Sequence, residues 1–88
     1  MKLKEGYIKI ESYDGFIVTP VGEEGEKNNV LLTLNGTASE IWDMLKEEKS
    51  ADQIADALCE EYGIARETAE SDTEKFIDTL KKEGILTN

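Results

Sequence analysis

The segment Val30 to Leu45, VLLTLNGTASEIWDML, constrains the fold most, because its hydrophobic period changes in mid-course. Val30, Leu32 and Leu34 alternate with Leu31 and Thr33, the two-residue pattern of a short strand. Beyond Asn35-Gly36-Thr37, the residues Ala38, Ile41, Trp42 and Leu45 recur at helical spacing and form one apolar stripe. Asn35 or Thr37 supplies the side-chain oxygen that starts such a helix. A strand that runs straight into an amphipathic helix needs other strands to pair with its first half and helices to cover its second.

Upstream, Tyr7-Ile8-Lys9-Ile10-Glu11 alternates and predicts a half-buried strand with Ile8 and Ile10 turned inward. Asp14-Gly15 suits the positive-φ positions of a tight hairpin, and Phe16 to Val21 returns as a second strand with Pro20 at an edge or an end. Gly22 to Asn29, GEEGEKNN, has no apolar residue and reads as a solvated loop leading to the third strand at Val30. One face of the resulting antiparallel sheet is free to receive helices, and its outer strand keeps unpaired N–H and C=O groups.

Downstream, Glu47-Glu48-Lys49 is a polar break, and Ser50 stands three residues before Gln53, the spacing of a capping box. The second helix runs to about Tyr62 with Ile54, Ala55, Leu58 and Tyr62 inward, and Gly63 ends it. Asp52, Asp56 and Glu60 form a solvated acidic face. A third helix begins at about Arg66 with the stripe Ala69, Thr73, Phe76, Ile77 and Leu80. Lys81 and Lys82 sit near the negative end of its dipole. Gly84 closes this helix, and Ile85-Leu86 fold back on the core. The expected fold is α+β in the order βββααα, a three-stranded antiparallel sheet and then three helices, as one domain over residues 1–88. Its last two helices resemble a helix-turn-helix.

Charge narrows the function. Twenty acids against ten bases give a net charge of −10, and residues 63–88 carry four bases against six acids. A recognition helix of that balance repels phosphates, so a winged-helix DNA-binding domain, the alternative such a fold suggests, is opposed by the charge. Anionic membranes are poor partners for the same reason. With no histidine and one cysteine there is no internal disulfide, no imidazole base and no His/Cys metal cluster. Cys59 falls at a packing position of the second helix. Nothing supplies an activated nucleophile or a phosphate-cradling loop, so the chain reads as a non-enzyme without a cofactor of its own. No apolar run approaches the roughly 18 residues of a membrane span. Lys2 and Lys4 lead into Glu5 and Gly6 rather than an apolar signal core, so a cytoplasmic location is expected.

The spacing Leu34-Asn35-Gly36-Thr37-Ala38-x-x-Ile41-Trp42-x-x-Leu45, the Ser50 helix, Glu61-Tyr62 and Asp72-x-x-x-Phe76-Ile77-x-x-Leu80 together resemble the PqqD-like proteins. Gly6-Tyr7, the run Val18-Thr19-Pro20-Val21-Gly22-Glu23-Glu24 and the Asn-rich approach to the third strand extend the resemblance over nearly the whole chain. It implies a winged helix-turn-helix-like module that binds the leader segment of a ribosomally made precursor peptide. Such a module passes the peptide to a maturation enzyme, frequently a radical S-adenosylmethionine enzyme with iron–sulfur clusters. The leader adds as a strand beside the third strand, against the third helix. In this sequence the resemblance places the pairing edge at Val30, Leu31, Leu32, Thr33 and Leu34. The facing wall falls at Asp72, Thr73, Phe76, Ile77 and Leu80, with Asp72 placed to meet a basic leader residue.

Two positions depart from the family pattern. Ala65 stands where Ser or Asp often caps the third helix, and Thr73 stands where an apolar residue is common, which makes the groove more polar. The alternation leaves open whether residues 30/32/34 or 31/33 face the helices, whereas Trp42 belongs to the core. A purely structural subunit of a maturation complex is a further alternative. An edge strand also pairs with a second copy, so a monomer or a weak homodimer is expected.

Overall fold

The computed structural model describes residues 1–22 and 32–87. Strand β1 (Lys2–Leu3) precedes a hairpin of β2 (Tyr7–Ser12) and β3 (Gly15–Pro20), and β4 (Leu32–Leu34) follows. The helices are α1 (Gly36–Met44), α2 (Ala51–Tyr62) and α3 (Arg66–Lys82), and β5 (Leu86–Thr87) comes last. The antiparallel sheet has the order β2-β3-β4, with Ile10 opposite Ile17 and Ile17 opposite Thr33. This is the expected three-stranded sheet followed by three helices. Of the third strand, Val30 and Leu31 lie outside the described residues, as does the loop from Glu23 to Asn29.

The pairing of β1 with β5, Lys2 opposite Thr87 and Leu3 opposite Leu86, has no counterpart in the sequence reading. Two-residue strands are too short to show a period. Main-chain bonds hold this pair to the body: Leu3 N–H donates to Leu45 C=O at 2.9 Å and Lys4 N–H to Ile85 C=O at 2.7 Å.

Local chemistry explains most boundaries. Asn35, not Thr37, caps α1, its Oδ1 accepting from Ala38 N–H at 2.8 Å. Ser50 and Gln53 complete their capping box at 3.1 and 2.9 Å, and Gly63 ends α2 with φ of +63°. Of the hairpin pair only Gly15 has positive φ, +145°. Helix α3 starts after Ala65 without a side-chain cap. Arg66 organises that end instead: it donates to Glu70 at 3.0 Å, pairs with Asp56, and lies 3.8 Å from Asp52. Two carboxylates of the acidic face of α2 therefore have a cation, which the sequence reading did not provide.

The core joins Val18 and Leu34 of the sheet to Ile41, Trp42 and Leu45, to Ile54 and Leu58, to Ala69 and Leu80, and to Ile85. Two inward assignments are corrected. Ile8 and Ile10 are 44% and 42% exposed, while Lys9 between them turns in with its side chain only 16% exposed. Lys9 Nζ donates to Ser39 Oγ at 2.7 Å and to both carboxylate oxygens of Asp43 at 2.8 and 2.9 Å, and stands 4.8 Å from the centre of the Phe16 ring. With Lys9 fixed against α1, alternation places both isoleucines on the outer face. Tyr62 is likewise 50% exposed rather than inward, at the last residue of α2.

Burial alone would raise the Asp43 carboxyl pKa, but hydrogen bonds and charge from Lys9, and then from Lys46, outweigh it and hold the group below its ordinary 3.8. A depressed folded pKa means stability that is present above the unfolded value and lost as pH falls through the folded one. Replacing Lys9 by methionine should flatten this acid limb. Urea unfolding compared between about pH 5 and pH 2 should show the wild type losing more stability than the variant, and parallel losses would contradict the pairing.

Candidate functional site

The site begins at the free edge of β4. Its one neighbour in the sheet is β3, and among the described residues no strand covers its other side. Leu34 C=O points toward β3, lying 3.0 Å from where a Cβ on Gly15 would stand. Main-chain groups alternate sides along an antiparallel strand, so the N–H and C=O of Thr33 face the open edge. The side chains settle the question of facing. Leu34 is buried and Leu32 packs on the core, while Thr33 is exposed, so 32 and 34 face the helices.

Next to this edge, a cavity of about 210 Å³ separates the start of α1 from the middle of α3. Asn35, Thr37, Ala38 and Ile41 line one side, and Asp72, Lys75, Phe76 and Thr79 the other. The α3 residues fall at i, i+3, i+4 and i+7, one stripe of a helix. Phe76 is the one aromatic side chain of that wall and is itself partly buried against the core. Asp72 and Lys75 place opposite charges along it, and the Thr79 hydroxyl donates to Lys75 C=O at 3.0 Å.

Of the residues assigned to the helical wall, the structure brings Asp72 and Phe76 to the cavity. Leu80 is fully buried in the core, and Thr73 and Ile77, 1% and 5% exposed, turn to a different flank of α3. Asn35, Thr37, Ala38, Ile41, Lys75 and Thr79 were not assigned to the wall. Asn35 and Thr37 both read from the sequence as candidate caps; Asn35 is the cap, and both also line the cavity. Lys75 and Thr79 were legible in principle as the helical neighbours of Asp72 and Phe76.

A family model described as coenzyme PQQ synthesis protein D (PqqD) matches residues 21–86, three quarters of the chain. The chain belongs to the PqqD family. No curated protein matches it. Among solved structures, this PqqD-family chain is similar to TbiB1 in complex with the TbiA(beta) leader peptide. The two are 27% identical with a TM-score of 0.76, over 100% of this chain and 96% of that one. It is also similar to lasso peptide synthetase B1 complexed with the leader peptide, at 24% identity and a TM-score of 0.75, over 99% and 96% of the two chains. The second likeness is one of fold. No helix among the described residues of the PqqD-family chain is long and apolar enough to cross a membrane.

Proposed function

We propose that this PqqD-family chain binds the leader segment of a ribosomally made precursor peptide as an added strand on β4 and presents it to a maturation enzyme, such as a radical S-adenosylmethionine enzyme. It acts as one cytoplasmic unit over residues 1–88 and performs no catalysis itself. The observation that carries this reading is the open main-chain edge at Thr33 lying beside a cavity walled by Phe76. Edge N–H and C=O groups bind any extended peptide, whereas a side cavity selects alternate side chains. Leu32, Thr33 and Leu34 supply the edge, and Asp72 and Phe76 supply the selective wall. The similar TbiB1, whose structure is a complex with a leader peptide, supports the same reading.

Calorimetric titration with the synthetic leader of a precursor encoded in the gene neighbourhood tests it. Phe76→Ala should raise Kd about tenfold or more, as truncation of a central aromatic anchor does. Ile8→Ser, on the outer face of the sheet, should leave Kd unchanged. Equal affinities for wild type and a folded Phe76→Ala would remove the groove from the account.

A further inference from the structure

A second cavity, of about 300 Å³, opens on the other side of Thr37 and is lined by Gly36, Thr37, Glu40, Tyr62 and Ile64. Thr37 is a wall of both cavities. The fold creates this space at the α2–α3 turn, where Gly63 with φ of +63° reverses the chain between Tyr62 and Ile64 beside the first turn of α1. The cavity is open at Gly36, where a Cβ would meet nothing within 4 Å. Tyr62 stays half exposed, and the nearby Glu40 carboxylate pushes its phenol pKa up.

We propose that this cavity is a second anchor subsite for the same peptide, taking an aromatic or branched aliphatic side chain with a lysine or arginine next to it. The proposal rests on the peptide-binding reading above. The Tyr62 ring, Ile64 and the Thr37 methyl give the walls an apolar character, while Glu40 supplies a carboxylate at the rim. The charges that act on Tyr62 are the carboxylates of Glu40, Glu61 and Asp43, whereas Asp52 and Asp56 of α2 are taken up by Arg66, so at this rim an acidic neighbour is repelled and a basic one attracted. A peptide paired with β4 that continues past Leu34 and Asn35 passes over Thr37 into this space.

The subsite answers a need that strand addition leaves open. Main-chain pairing fixes which face of the peptide turns inward but tolerates slips of two residues, because its period is two. Two cavities along one track fix the register, and so decide how much peptide extends beyond the module. Linking two anchors on one chain also raises affinity through effective concentration.

The test is selection from a displayed library of random peptides about sixteen residues long, run on the full chain and on two variants. The wild type should enrich two anchor positions at a fixed separation, with Lys or Arg beside the second. Tyr62→Ala should keep the first anchor, lose the second, and bind the wild-type winner about tenfold more weakly. Glu40→Lys should change the neighbour of the second anchor from basic to acidic, which a merely structural role would not do. Backbone NMR spectra establish that both variants are folded. A single anchor in the wild-type selection, or an unaltered motif in both variants, would overturn the subsite alone. No enrichment by the folded wild type would overturn the peptide-binding reading and the subsite with it.

Discussion

Trp42→Ala is expected to leave most molecules unfolded at room temperature or to lower the urea midpoint by about 3 M. Trp42 is 1% exposed and belongs to the cluster that joins α1 to the sheet and the other two helices. Truncating a buried tryptophan costs about 3–5 kcal/mol through lost transfer energy and the cavity left behind. A chain of this length has a total stability of only about 4–13 kcal/mol, and a urea slope near 1 kcal/mol/M converts the loss into the stated midpoint shift. Unfolding followed by circular dichroism checks it. A loss below about 1 kcal/mol would mean that the core does not close around Trp42.

Thr33→Pro is expected to abolish leader binding, or to weaken it about a hundredfold, without unfolding the sheet. Proline removes the one N–H of β4 that this geometry directs at the open edge, and its ring fills the space a pairing strand would occupy. An edge strand tolerates proline where the lost donor faces outward. Leu32→Pro is the informative contrast. Its N–H faces β3, opposite Val18, so that variant should lose stability first and binding only as a consequence. Paired denaturation and calorimetry on the two variants separate the effects. A folded Thr33→Pro protein with wild-type affinity would rule out pairing at this edge.

Much of the fold was legible because it rests on local rules. The stripe of Ile41, Trp42 and Leu45, the Ser50–Gln53 capping box and the Gly63 stop each depend on residues within a few positions of one another, and each is found where expected. Ile8 and Ile10 were not legible in this way. Alternation divides β2 into two faces, but the face that turns inward was decided by Lys9 meeting Asp43, 34 residues away. The residues of α3 that line the cavity were not legible for a related reason. Helix α3 buries a wide stripe, so the buried Thr73, Ile77 and Leu80 and the cavity-lining Phe76 share one period, with Asp72 at its margin. Only the packing of α1 against α3 separates them. Lys75 and Thr79 look like solvent residues until that packing places Thr37 and Ile41 across from them.

The central claim is that a peptide adds to β4 and lies against α3. Titrating isotope-labelled protein with the leader peptide while following backbone amide shifts tests this most directly. The account requires the largest shifts at Leu32–Leu34 and Asn35 and at Asp72, Lys75, Phe76 and Thr79, with slowed amide exchange at Thr33. Shifts centred on the opposite edge strand, Tyr7–Ser12, or no shifts from a folded protein at saturating peptide, would contradict it.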